Sequence, residues 1–444
     1  MQDLTPLDPL YTAEEMREAE AGHDVAELME RAGRAVAEEA VRRFPDARSF
    51  GAACGSGANG GDARIALEAL RAEGRHASEG VEGDVLIDGL FGTGFRGEPR
   101  AEAAALIEQL NAAGVPVVAI DLPSGVDADT GEVAGVAVRA TVTVAMHGPK
   151  VGNIVAPGRF HGGDLVVCDI GLEPQATHHR VVSREILRLV PRKQADDTKY
   201  RSGSVLVVGG APGLTGAACL AAEAAFRADA GYVTVAAPAN ALPVIEARLL
   251  EAVKRPLDEV FDAVTKAGAL AIGPGLGRDA ERRALVRRLL EETDLPAVVD
   301  ADALDGLEPI PRRAETVLTP HAGELAGLLG VEAGWVDAHR LEAVQRAADG
   351  FGCICLLKGA DTLVASPGAG VLVSSLGPPS LATAGTGDVL TGTIAAFLAK
   401  GMDARLAAAA GATACAEAAR LGPERGLVAS DVVRLLSRAL DAQV

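Results

Sequence analysis

Apolar positions along the chain recur with two periods, one helical and one extended. From Thr12 the run Thr-Ala-Glu-Glu forms a capping box, and Val25, Leu28, Ala32 and Val36 follow at helical spacing, so the chain opens on helices. A short strand over 49–54, a glycine loop and a helix over 62–72 come next. Apolar runs at 84–90, 115–120, 141–146 and 164–170 read as strands, with a helix over 101–113 between the first two. Between 173 and 201 the pattern breaks into prolines, His178, His179 and the polar run 192–197, which marks a domain junction with a short packed element at 181–190 inside it. A second series then places strands at 204–208, 232–236, 269–272, 297–299, 316–318, 354–357, 362–365 and 371–374. Helices are predicted at 217–230, 278–292, 336–351, 388–399, 404–420 and 430–442. This alternation predicts two α/β domains, the second on a mostly parallel sheet covered on both faces.

Composition sharpens that picture. A chain of 444 residues, 48% hydrophobic but 3% aromatic with 52 glycines, has room for two or three cores and suits sheets crossed by close-packed helices. It excludes a disordered or collagen-like chain. A formal charge of -19 opposes the clustered cations that nucleic acid requires, so no nucleic-acid partner is expected. Only seven of the 42 basic residues are lysine, which makes a lysine inside a glycine-rich motif conspicuous. The six cysteines never form C-x-x-C, so a reduced, cytoplasmic setting is expected, without zinc or disulfides. The start of the chain lacks a leader pattern and no apolar run reaches about 18 residues, so neither export nor a membrane span is expected.

The loop Cys54-Gly-Ser-Gly-Ala58-Asn59-Gly60-Gly61-Asp62 contains G-x-G-x-x-G between a strand and a helix, which suits phosphate but equally suits a tight turn. Two further strand ends, Asp84-Val-Leu-Ile-Asp88-Gly and Val118-Ala-Ile-Asp121-Leu-Pro-Ser124-Gly, each deliver a carboxylate and then a glycine turn where open α/β sheets bind ligands. Either aspartate alone reads as a helix cap; two beside a glycine loop read as a site. In the second half, Ala384-Gly385-Thr386-Gly387-Asp388 leads into an apolar helix, giving backbone amides for an anion and a carboxylate to accept a hydroxyl proton during phosphoryl transfer. Gly273-Pro-Gly-Leu-Gly277, the strand-ending run Asp300-Ala-Asp302-Ala-Leu, Thr319-Pro-His321-Ala-Gly-Glu324 and Lys358-Gly359-Ala360-Asp361-Thr362 accompany it, although each alone suits a turn, His321 a structural role and Lys358 a surface charge. No Walker, G-x-S-x-G or H-E-x-x-H motif occurs.

On the opening "LYTAEEMREAE…ELMERAGRAVAE", "GSGANGGD", "DGLFGTGFRGE" and "DLPSGVDADTG", residues 10–172 resemble the N-terminal domain of the YjeF family, the NAD(P)H-hydrate epimerases. The resemblance implies a Rossmann-like three-layer α/β/α domain over 1–177 and a substrate held by Ala58, Asn59, Gly60, Gly61 and Asp62 together with Gly92, Thr93, Gly94, Phe95, Arg96, Gly97 and Glu98. It also implies a catalytic Asp121 that contacts substrate and a potassium site on Asn59, Asp88 and Ser124. Ala58 and Ala63 depart from the family's Asn-Asn-Gly-Gly-Asp-Gly, which puts one substrate contact in doubt but not the ion site. Inversion at C6 of the hydrated nicotinamide is equally consistent with water loss and with ring opening.

On "YRSGSVLVVGGAPGLTGAACLAA", "GPGLG", "TPHAGEL", "KGADT" and "AGTGDVLTG", residues 185–442 are similar to that family's ribokinase-like ADP-dependent NAD(P)H-hydrate dehydratase domain, implying such a domain over 178–444. The similarity implies hydrate contacts at Ala217, Gly277, His321 and the catalytic Asp388, and AMP contacts at Lys358, Gly359, Ala360, Asp361, Thr362 and Gly387. Magnesium is expected to arrive on the nucleotide, with ADP as the implied co-substrate and ATP left open; NADHX and NADPHX are the implied substrates and a homo-oligomer the expected state. The alternative is a small-alcohol kinase fused to a non-catalytic ligand-binding domain. Thr319-Pro-His-Ala-Gly-Glu324 together with the fused first domain argues against the kinase, and retention of Asp88, Asp121 and Ser124 argues against a non-catalytic first domain.

Overall fold

The computed structural model describes residues 7–442. They form two compact units, one of Pro9–Arg180 with Asp337–Leu341, the other of Val181–Val336 and the chain from Glu342 onward, together with Leu7 and Asp8.

Strands of the first unit are β2 (Ser49–Cys54), β3 (His76–Glu79), β4 (Val85–Gly89), β5 (Val117–Ile120), β6 (Val142–Met146) and β7 (Asp164–Cys168), preceded in the chain by β1 (Leu7–Leu10). All six pair in parallel in the order β3-β2-β4-β5-β6-β7. Their central members are mostly apolar, as two-sided burial demands: every residue of β4, β5 and β6 is buried, and only Asp88 and Thr143 among them carry polar side chains. Leu28, Ala32 and Val36 of the helix Val25–Arg43 pack on one face with Ala66, Leu67 and Leu70 of the helix Ala58–Ala72. Ile107 and Leu110 of the helix Ala101–Ala112 cover the other face. The three-layer α/β/α expectation is met. The Thr12 capping box is present, with Glu15 reaching back to Thr12.

The chain leaves this unit through β8 (His179–Val182) and enters a sheet with β9 (Ser204–Val208), β10 (Tyr232–Ala237), β11 (Val253–Pro256), β12 (Ala269–Ile272), β13 (Ala297–Val299), β14 (Thr316–Leu318), β15 (Ile354–Leu357), β16 (Thr362–Ala365) and β17 (Leu372–Ser374). The order is β1-β8-β17-β16-β15-β14-β13-β12-β9-β10-β11. Pairing from β11 across to β15 is parallel; β16 then pairs antiparallel with β15, and β17 antiparallel with β16. Helices Thr215–Arg227, Thr386–Ala399, Ala404–Arg420 and Ala429–Asp441 bury a small-residue core on one face, and Ala280–Glu292 covers the other.

Several elements differ from the sequence reading. The helix expected at 62–72 begins at Ala58, because Gly57 serves as its cap and the loop glycines do not break the first turn. The helix expected at 336–351 is two, Ala333–Ala338 and Arg340–Phe351. Strands β1, β3, β8 and β11 and the helix Leu242–Arg248 went unread; β11 carries Lys254 and Arg255, whose polarity hides an edge strand. No helix among the described residues is long and apolar enough to cross a membrane.

Candidate active sites

In the first unit the chain after β2 turns toward β3 while β4 lies on its other side, so the loops after β2 and β4 diverge and open a crevice at the strands' C-terminal ends. Three segments meet there. Asn59 enters from the first turn of the helix Ala58–Ala72 and donates from Nδ2 to the carbonyls of Ile120 (2.7 Å) and Phe91 (3.1 Å). A Cβ on Gly92 would stand 2.3 Å from Asn59 Oδ1, so only glycine lets this loop lie against the amide. Asp88, wholly buried, accepts from the Ser124 hydroxyl (2.7 Å) and amide (2.8 Å), and Ser124 Oγ accepts from the Phe91 amide (2.9 Å). Asn59, Asp88 and Ser124 therefore share one polar knot. No lysine or arginine among the described residues pairs with Asp88, and burial pushes its carboxyl up to about 6 despite the Ser124 hydrogen bonds.

Asp121 follows β5 in a left-handed conformation (φ 67°), and Oδ1 accepts from the Met146 amide (3.0 Å) and from Lys150 Nζ. Asp62, 7% exposed, has no hydrogen-bond partner for Oδ1 among the described residues; burial first, then the charges of Asp121 and Glu20, push its carboxyl up to about 7. Asp62 thus lies one turn inside the helix and faces acidic neighbours, rather than standing at the helix start. Gly94, Arg96, Gly97 and Glu98 are exposed, Thr93 is half-buried, and Phe95 stacks on Phe91 at 4.6 Å. Arg96 turns toward Asp127 (3.3 Å) and Asp129. Ala58 is exposed on the first turn, while Ala63 is fully buried, and a Cβ on Gly89 would meet its methyl at 2.6 Å.

In the second unit the corresponding crevice lies where the chain leaves β9 for β10 while β12 sits on its other side. Lys358, after β15, donates from Nζ to Asp300 Oδ1 (2.8 Å) and lies 3.7 Å from Glu324. Asp300, after β13, is 1% exposed and accepts from the Thr391 hydroxyl (2.8 Å). Burial pushes its carboxyl up, but the Lys358 charge and the Lys358, Thr391 and Thr319 hydrogen bonds outweigh it and hold it below the usual range. A Cβ on Gly387 would stand 3.4 Å from Lys358 Nζ and 3.6 Å from Asp300 Oδ2, which puts this ion pair directly beneath the Gly-Thr-Gly-Asp turn. Asp388, in the first turn of Thr386–Ala399, is pushed up to about 7 by burial first and then by Asp300, Asp302 and Glu324, against the pull of Lys358.

The remaining expected residues are less uniform. Ala217 sits in the first turn of Thr215–Arg227. The Gly277 amide donates to Asp302 Oδ2 (2.9 Å), so that N–H already has a partner. His321 caps the helix Ala322–Leu329 through Nδ1, which accepts from the Gly323 and Glu324 amides, and its ring is 60% exposed. Gly359 and Ala360 are exposed, Asp361 is buried, and Thr362 begins β16. Lys150, Glu20 and the link from Asp300 to Thr391 escaped the sequence reading. Lys150 carried a signal, as one of seven lysines and placed beside Gly148 and Pro149 after an apolar strand.

The two crevices, each at the C-terminal ends of parallel strands, define a pair of α/β ligand-binding domains, the first of YjeF type and the second ribokinase-like. The family model described as NAD(P)H-hydrate dehydratase matches residues 205–441, and the one described as YjeF-related protein N-terminus matches residues 25–79 and 69–152. The bifunctional NAD(P)H-hydrate repair enzyme Nnr of Moorella thermoacetica is 40% identical over 385 residues, covering 80% of this chain and 73% of that protein. Its namesake from Coxiella burnetii is 35% identical over 476 residues, covering 95% and 97%. Among solved structures, the ADP/ATP-dependent NAD(P)H-hydrate dehydratase from Bacillus subtilis, co-crystallized with ATP/Mg2+, is 27% identical with a TM-score of 0.55, covering 59% of this chain and 98% of that one. The chain belongs to the family of bifunctional NAD(P)H-hydrate repair enzymes.

Proposed function

We infer that the chain repairs hydrated nicotinamide cofactors: residues 1–177 interconvert the C6 epimers of NADHX and NADPHX, and residues 178–444 dehydrate the S form with ADP. The observation that carries this reading is the pairing of two acid-bearing crevices in one chain, one containing Asp121 and the other Asp388 beside Lys358. Asp388 as carboxylate accepts the proton of the C6 hydroxyl, whose oxygen takes the terminal phosphoryl of ADP and releases AMP. Loss of the C5 proton and departure of phosphate from C6 then restore the C5–C6 double bond, so hydrate and ADP become reduced cofactor, AMP and phosphate. Lys358 and the amides of the Gly385–Gly387 turn suit the phosphates.

The oxygen donors Asn59 Oδ1, Asp88 and Ser124 Oγ suit potassium, and the buried Asp88 carboxylate, with no cationic partner among the described residues, supports such an ion. Bound there, it would neutralise Asp88 and tie the loops after β4 and β5. Magnesium carried on the nucleotide would offset the acidic surroundings of Asp388. A cytoplasmic location and a homo-oligomeric state belong to the same reading. The test is regeneration of reduced-nicotinamide absorbance from mixed epimers with ADP or ATP. Near-complete recovery supports both activities, recovery of about half removes the epimerase, and none removes the reading.

A further inference from the structure

Lys150 is one of the largest fully buried side chains of the chain, at 0% exposure. Enclosing an ammonium away from water is unfavourable unless every donor is met. Here all three are: Nζ donates to Asp121 Oδ1, to the Met146 carbonyl (2.6 Å) and to the Gly148 carbonyl (3.1 Å). None remains for a ligand, so Lys150 cannot itself bind substrate.

The backbone around the pair is tied as tightly. Asn153 accepts from the Lys150 amide through Oδ1 (2.7 Å) and donates from Nδ2 to the Asp121 carbonyl (3.0 Å). The Asp121 amide donates to the Val144 carbonyl (2.8 Å). These contacts hold Asp121 in a left-handed conformation that L-residues seldom adopt. They also treat its two oxygens differently. Oδ1 is saturated by Lys150 and the Met146 amide, whereas Oδ2 accepts no hydrogen bond among the described residues, and the side chain keeps 10% of its surface open.

We propose that Lys150 is a positioning residue of the first site, locking Asp121 so that Oδ2 alone is presented to the substrate. The proposal rests on the epimerase reading and adds to it a residue that acts on turnover through Asp121. Such a residue moves kcat and leaves substrate binding, which other groups provide, nearly alone. A purely structural lysine would instead alter folding, KM and kcat together.

The experiment follows interconversion of purified R and S hydrates by the full chain without ADP, using proton NMR at C6. In Lys150→Met, kcat is expected to fall about 100-fold with KM held within about threefold, the cost of releasing a reacting group from its aligned position. Asp121→Asn/Lys150→Met should be no slower than Asp121→Asn, because Lys150 has no route except through Asp121. Lys150→Arg keeps the charge if Lys150→Met does not fold, yet its planar fork cannot meet the same three acceptors, so kcat should still fall about tenfold. Parental kcat in either single variant, or a double variant well below Asp121→Asn, overturns the proposal. A parent that does not interconvert the epimers overturns the epimerase reading and the proposal with it.

Discussion

With Asp388 in its proposed role as proton acceptor, its raised carboxyl should make dehydration acid-sensitive between pH 8 and pH 6. To accept the C6 hydroxyl proton, Asp388 must enter the reaction as carboxylate. Burial and the charges of Asp300, Asp302 and Glu324 push it up to about 7, while Lys358 pulls it back. With half-ionisation near that value, the carboxylate fraction is about 0.9 at pH 8 and about 0.1 at pH 6, so kcat/KM should drop roughly tenfold across the interval. The assay is the initial rate of reduced-nicotinamide regeneration from purified S hydrate and saturating ADP, which needs no epimerase. Because ADP also titrates in this region, Asp302→Asn supplies the control. It removes one like charge from the surroundings of Asp388 without touching the nucleotide, so the acid limb should move to lower pH. A rate constant flat from pH 8 to pH 6, or a limb that Asp302→Asn leaves in place, would refute the assignment of Asp388 as proton acceptor.

Other consequences are equally open to measurement. Asp121→Asn should abolish epimerisation, by about 100-fold or more, while S-hydrate dehydration stays parental, so regeneration from a mixture stalls near half. Replacing sodium with potassium should raise the melting temperature of the parent through the Asp88 knot, and Asp88→Asn should erase that difference in calorimetry. The folded-state values of Asp62 and Asp388 lie above the ordinary carboxylate value, so the stability each contributes is present at low pH and lost as pH rises through about 7. Asp388→Asn should flatten that loss in melting curves taken between pH 5 and 8. A Cβ on Gly392 would stand 2.0 Å from the Ala221 carbonyl oxygen, so Gly392→Ala must push apart the helices Thr215–Arg227 and Thr386–Ala399 and should cost about 1–3 kcal/mol in urea unfolding.

The elements read correctly from sequence were those whose burial is written in local composition. Strands β9, β12 and β15 are apolar runs ended by glycine or lysine, and helices such as Ala404–Arg420 carry long runs of small residues because both neighbouring helices and the sheet press on them. The edge strands β3 and β11 escaped because most of their side chains meet solvent and several are polar or charged. The candidate carboxylates were legible for a related reason: Asp88 and Asp121 interrupt apolar strands at the ends where such sheets bind ligands, and Asp388 starts an apolar helix after a glycine turn.

Their chemical states were not legible. Asp121 and Asp62 lie 59 positions apart, and only the sheet order, which places β5 next to β4 and β4 next to β2, brings them into one crevice. Sequence by itself determined two α/β domains, their glycine turns and the aspartates on them, because period, composition and turn chemistry are local properties. Tertiary structure alone decided that Lys150 neutralises Asp121, that no cation among the described residues pairs with Asp62, and that Asp300 holds Lys358 beneath Gly387. A carboxylate's charge depends on dielectric and on neighbours within a few ångströms, and those neighbours come from segments far apart in the chain.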